Sequence, residues 1–145
     1  MEHMPKLYRV FVSHAARDKW IAERVAEALR ARGARPFLDI YDIEKGDDIP
    51  ETIRKELNRT DELVALFTSS SQRAWVWAEI AVVWGRGKRI VAVMHNVTLQ
   101  DLDATSGRGR LGDSNTVDLN DFDTYLRQFG RRIRAKRKAG AKRND

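Results

Sequence analysis

The strongest constraint on how this chain can fold is a rhythm in which short, mostly β-branched apolar runs alternate with stretches of helical spacing. Leu7-Tyr8-Arg9-Val10-Phe11-Val12 reads as a first strand, and Ile21, Val25, Ala28 and Leu29 then recur at helical intervals until Gly33. Ala34 to Ile40 reads as a second strand. A polar loop, Tyr41 to Ile49, follows, and its Gly46 admits backbone conformations that other residues resist. Pro50 suits a first helical turn with Asp48 as its cap, and Ile53 and Leu57 give that helix a buried side. Leu63-Val64-Ala65-Leu66-Phe67 and Ile90-Val91-Ala92-Val93-Met94 are continuous apolar runs, the pattern of strands covered on both faces. Thr116-Val117-Asp118-Leu119 reads as a short fifth strand, after a poorly patterned stretch from Thr105 to Gly112. Phe122, Leu126, Phe129 and Ile133 mark a last helix.

Strands separated by helices imply parallel pairing through right-handed crossovers. The expected fold is therefore α/β, a flavodoxin-like three-layer sandwich whose five-stranded parallel sheet has the order 2-1-3-4-5 and helices on both faces. A chain of 145 residues suits one such domain. We place it at residues 7–134, after an N-terminal extension, residues 1–6, that is in part an expression remnant, and before a basic tail, residues 135–145, read as frayed or as a linker.

Composition narrows the chemistry. The chain has no cysteine, which removes disulfides and thiolate metal sites, and its three histidines, His3, His14 and His95, are too scattered for a metal centre; no metal is expected. The longest apolar runs fall far short of the roughly 18 residues of a membrane span, so a cytoplasmic protein with no membrane contact is expected. The net charge of +6 is local. Residues 131–145 hold eight Lys/Arg against one Asp, so the body of the chain is close to neutral. With no aromatic residue interleaved to stack bases, the tail lacks half of a single-strand binding site, and nucleic acid is expected at most through this tail.

The segment Arg73 to Trp84, RAWVWAEIAVVW, holds three of the four tryptophans and one glutamate. Advancing about 100° per residue, a helix would set Trp77, Ile80, Ala81 and Trp84 on a core face, and Trp75, Glu79, Val82 and Arg86 on another. In a sheet of order 2-1-3-4-5, ligands bind beyond the carboxyl ends of the strands, where the order reverses between strands one and three. The loops after those strands, Ser13 to Arg17 and the approach to Trp75 and Glu79, border that crevice.

Three segments together resemble the TIR (Toll/interleukin receptor) domain in its prokaryotic form. These are Val10-Phe11-Val12-Ser13-His14 with Arg17-Asp18-Lys19, then Phe37-Leu38-Asp39-Ile40-Tyr41-Asp42 through Gly46 to Ile49, which looks like the family's second strand and BB loop. The third is Trp75-Val76-Trp77-Ala78-Glu79, which matches the W-x-x-x-E pattern of TIR domains that cleave NAD⁺. The resemblance implies an NAD⁺ glycohydrolase or cyclase yielding nicotinamide and ADP-ribose or a cyclic isomer. NAD⁺ is the substrate and no further cofactor is implied.

It also implies Glu79 as the catalytic residue and a substrate site formed by Trp75, Ser13, His14 and Arg17, closed by Asp39, Lys45 and Gly46 of the BB loop. His14 stands where a tyrosine is frequent, and Ala15 and Ala16 where some members carry arginines. Self-association through Tyr41 to Ile49, an activating partner protein or domain, and a place in prokaryotic antiviral defence are further implications. The alternative is a noncatalytic TIR interaction module. A phospho-receiver would need an acidic cluster after strand one and an aspartate at the end of strand three, where Ser13-His14 and Thr68-Ser69 stand instead; nucleoside transfer remains a further alternative.

The chemistry of Glu79 and Trp75 is also reasoned from the residues. Releasing nicotinamide builds positive charge on the ribose, as in glycoside cleavage, and a fixed carboxylate stabilises it. A tryptophan one turn earlier can lie against the pyridinium.

Overall fold

A computed structural model describes residues 7–38, 51–69, 83, 85–98 and 115–143. It contains β1 (Tyr8–Ser13), α1 (Lys19–Ala31), β2 (Ala34–Leu38), α2 (Glu51–Arg59), β3 (Glu62–Phe67), β4 (Arg89–Met94), β5 (Thr116–Asp118) and α3 (Phe122–Arg143). All strand pairs are parallel and the order is β2-β1-β3-β4-β5, as the alternating pattern implies.

The continuous apolar runs have a direct cause. Successive side chains of a strand point to opposite faces, and this sheet is covered on both. Val10 and Val12 of β1, Val64 and Leu66 of β3, and Val91 and Val93 of β4 meet α1 and α3 on one face. Phe11, then Leu63, Ala65 and Phe67, then Ile90, Ala92 and Met94 meet Ile53 and Leu57 of α2, with Val83, on the other.

Helix α1 buries Ala22, Val25, Ala26 and Leu29, so its inner face is rotated slightly from the expected one: Ile21 and Ala28 are half-buried. It stops at Gly33, whose φ of +96° lies in the left-handed region that glycine tolerates, with its N–H bonded back to the Arg30 carbonyl. Gly87, at φ +68°, also lies in the left-handed region, in the turn before β4.

Strands β1, β3 and β4 differ from the sequence reading by one residue at one or both ends. Strand β2 is described to Leu38, and Asp39 and Ile40 lie outside the described residues. Leu119 leaves β5 for a 3-10 turn, because the Asp118 carboxylate accepts the Asn120 N–H at 2.9 Å and offers the backbone a local alternative to the ladder. Helix α3 runs on to Arg143 where a tail was expected from residue 135. It is held beyond Ile133 by Lys136 Nζ, 4.6 Å from the centre of the Tyr8 ring, and by Arg137 against Gly33.

What docks α3 is a charge. Glu62, the first residue of β3, is fully buried. Its carboxylate accepts hydrogen bonds from Tyr8 Oη at 2.8 Å, from Tyr125 Oη, and from Arg132 Nη2 at 2.9 and 3.0 Å to its two oxygens. Arg89 Nε stands 3.9 Å away. The Arg132 guanidinium also lies 5.5 Å from the Phe129 ring centre and 5.8 Å from that of Tyr125. Burial together with the adjacent carboxylate pushes both tyrosine hydroxyls far above their ordinary range. Burial opposes the Arg132 charge, yet Glu62 holds its pKa above the usual value.

Replacing Glu62 by glutamine leaves Arg132 without a counter-charge. It should destabilise the fold by about 2–4 kcal/mol, against about 1–2 kcal/mol for Tyr125→Phe, measured by urea unfolding of the full chain. The tyrosines keep their protons in the folded state after the unfolded chain loses them. Stability is therefore complete below about pH 10 and falls as pH rises above it. The doubly substituted Tyr8→Phe/Tyr125→Phe protein should show a smaller fall over that window than the parent; an identical fall would exclude these tyrosines as its source.

Candidate functional site

The reversal of strand order between β1 and β3 directs attention to their carboxyl ends. Strand β1 ends at Ser13, in register with Ala65, and β3 runs on to Phe67. Strand β4 keeps pace, and the His95 N–H donates to the Phe67 carbonyl at 2.9 Å.

Ser13 and His14 are brought together at this edge and both are buried. Nδ1 of His14 lies 3.4 Å from the Val12 carbonyl, a long contact that turns the ring back toward its own strand. Arg17 sits in the 3-10 turn Ala16–Asp18 that leads into α1. It is exposed and forms no ion pair with another described residue.

The residue that fixes this edge is one whose partner the sequence does not reveal. Asp18 is buried and occupies the N-cap position of α1, yet its side chain makes no capping bond. Its Oδ2 accepts the Thr68 hydroxyl at 2.6 Å instead, across 50 residues of sequence. The helix start still favours the negative charge. This bond clamps the loop after β1 to the residue after β3, so a buried pair ties together the two ends that border the strand-order reversal. Its sequence signal is modest: an aspartate at a helix start and a threonine just past an apolar strand.

Trp75 and Glu79, with Asp39, Lys45 and Gly46, lie outside the described residues, as do Asp48, Pro50, Trp77, Ile80, Ala81, Val82 and Trp84. Of the tryptophan segment, Val83 is described: it is fully buried on the face of α2. Arg86, assigned to the Glu79 side, bonds Asn58 Oδ1 at 3.4 Å.

Perturbed ionisable groups mark functional sites when they line a cleft. Here Tyr8, Tyr125 and Arg132 gather at the start of β1 and β3, the edge opposite the crevice, and their hydrogen bonds to Glu62 are those that dock a helix. Two of the cavities among the described residues lie between α1 and α3. No group of His, Asp or Glu suited to a metal ion occurs among the described residues, and none of the described helices is long and apolar enough to cross a membrane.

The sequence profile of the TIR domain matches residues 10–133 of this chain. A protein of Brucella abortus named probable 2′ cyclic ADP-D-ribose synthase TcpB is 31% identical over 101 residues, which cover 66% of this chain and 40% of that protein. The chain thus matches well under half of that relative's length. Among solved structures, the TIR domains of the activated Roq1 resistosome directly recognising the pathogen effector XopQ superpose with a TM-score of 0.55 at 17% identity, over 86% of this chain and 80% of that one. That likeness speaks to the fold.

Thr68→Val removes a hydroxyl donor from the buried Asp18 carboxylate and should lower stability by about 1–3 kcal/mol. Thr68→Ser keeps the donor and should recover most of the loss. Thermal unfolding followed by circular dichroism compares them, and equal melting of the valine and serine variants would remove the clamp from the account.

Proposed function

Because the chain belongs to the TIR-domain family, we propose that it is an NAD⁺ nucleosidase, cleaving the nicotinamide–ribose bond of NAD⁺ to release nicotinamide and ADP-ribose or a cyclic isomer. The observation that carries this reading is the pattern Trp75-x-x-x-Glu79, in the segment that follows β3 in the sequence. The naming of the Brucella abortus relative as a probable cyclic ADP-ribose synthase supports it.

The chemistry follows from the charges. The ribose–pyridinium bond breaks with its electron pair going to nicotinamide, which departs neutral, and positive charge develops on the ribose. The Glu79 carboxylate stabilises that charge and accepts hydrogen bonds from the ribose diol. Trp75, one turn earlier on a helix, faces the pyridinium with a cation–π attraction of about 0.5–2 kcal/mol. Water attacking the anomeric carbon gives ADP-ribose and a proton, whereas a hydroxyl of the same molecule gives the cyclic product. Ser13 and His14 line the ribose side, Arg17 meets the pyrophosphate, and Asp39, Lys45 and Gly46 close the pocket. No cofactor takes part.

Self-association through Tyr41 to Ile49 completes the site from a second copy, with an activating partner protein or domain setting when it assembles. The setting we assign is prokaryotic antiviral signalling in the cytoplasm.

Purified protein at high concentration should release nicotinamide from NAD⁺. Glu79→Ala and Glu79→Gln should lose at least about 100-fold in turnover, and Trp75→Ala about 10-fold in kcat/KM. Chromatography of the products separates linear from cyclic. Assembly without turnover, unchanged by Glu79→Gln, would convert the reading to that of a noncatalytic interaction module.

A further inference from the structure

The basic end of the chain belongs to a built surface. Arg30 and Arg32 at the end of α1, with Arg134 and Arg137 of α3, line a cleft of about 350 Å³ floored by Ala31, Gly33, Gly130 and Ile133. All four arginines are exposed. None of them ion-pairs with a carboxylate among the described residues, whereas Lys19 and Arg24 earlier on α1 are paired with Glu23 and Glu27. Arg137 lies so close over Gly33 that a Cβ there would meet its Nη2 at 2.5 Å, and the glycine is what lets the guanidinium reach across to α1.

From this cleft the positive charge continues along α3. Arg127, Arg131, Arg134 and Lys138 fall at i, i+4, i+7 and i+11, one exposed stripe about 16 Å long at about 1.5 Å per residue. The acidic residue of α3, Asp123, sits in its first turn, away from the stripe. Like charges brought this close repel one another, and a polyanion laid along them relieves the repulsion.

The kind of polyanion follows from what the surface lacks. Beyond Ile133 the helix offers alanine and glycine as its uncharged residues, so it has no apolar face to insert among lipids. The stripe and the cleft have no exposed aromatic on which single-stranded bases could stack: Trp20, 68% exposed at the start of α1, lines the neighbouring groove with Arg24 and Asp123 instead. The apolar floor of the cleft holds no large exposed anchor of the kind that carries a protein interface, since Ile133 is 4% exposed. What remains is a row of guanidiniums and a lysine, suited to phosphate oxygens spaced along a rigid rod. We infer that the cleft between α1 and α3, continued by the Arg127 to Lys138 stripe, binds the phosphate backbone of double-stranded nucleic acid without reading its sequence. DNA and RNA duplexes share that chemistry. The surface lies on α1 and α3, so it is independent of the reading of Glu79.

The test is fluorescence anisotropy of the full chain with labelled DNA and RNA duplexes of about two turns, titrated between about 50 and about 200 mM salt. Duplex binding at low salt is expected, weakening at least about 100-fold across that range, with the single strand of the same sequence bound more weakly. The relative strengths of the DNA and RNA arms show which duplex is preferred. Arg131→Gln/Arg134→Gln/Lys138→Gln should reduce affinity at least about 10-fold and lower the salt slope by about 2–3, as expected for phosphate contacts removed. Arg54→Gln/Lys55→Gln on α2, across the sheet, should stay within about 2-fold of the parent. No duplex binding at low salt, a triple variant that behaves like the α2 control, or tighter binding to phosphatidylserine vesicles or polyglutamate than to duplex would each overturn the inference. The salt slope of the parent protein tests it without any variant.

Discussion

A single carboxylate, sealed from water at the start of the central strand, is what the rest of this architecture is arranged around. Glu62 is fully buried, and a lone charge there would be prohibitive. It is tolerable because β1 supplies Tyr8 and α3 supplies both Tyr125 and Arg132. The last helix, the first strand and the middle strand are thereby committed to one geometry, since any slip would leave the charge unpaired. Such a cluster specifies position as well as contributing energy: apolar packing alone would let α3 slide along the sheet, whereas three donors on one carboxylate would not.

This arrangement separates the two edges of the sheet. The amino edge is closed by hydrogen bonds to Glu62 and by Asp61, whose Oδ2 takes the Arg9 N–H at 2.9 Å. At the carboxyl edge the described residues include a smaller device, the Asp18–Thr68 bond. Among the described residues the most strongly perturbed ionisable groups are therefore structural ones, at the edge away from the candidate site. The reading of function rests instead on topology and on residue types after β1 and β3.

Much of the architecture was legible because its period is unambiguous. Continuous apolar runs at Leu63 to Phe67 and Ile90 to Met94, short and set between helical stretches, fit strands covered on both faces, and the spacing of Ile53 with Leu57 or Phe129 with Ile133 selects one helix face. What was not legible depends on partners distant in sequence. Nothing local distinguishes Glu62 from a solvated strand-end glutamate, or Asp18 from an ordinary helix cap. The reach of α3 was underestimated for the same reason: a run of cations looks solvated until Tyr8 and Gly33 are placed beside Lys136 and Arg137. Of the candidate site, Ser13, His14 and Arg17 stand at the expected edge, while the tryptophan segment and the BB loop lie outside the described residues.

The partners of Glu62 stand 54, 63 and 70 residues away from it in the chain. During synthesis from the amino terminus, β1 and β3 emerge long before Tyr125 and Arg132. Until those residues arrive, the middle of the nascent sheet carries a charge that it cannot bury. Burial of that carboxylate with all its partners therefore requires the last helix. A contact so distant in sequence slows the search for the native state. It also makes closure of the fold coincide with its completion.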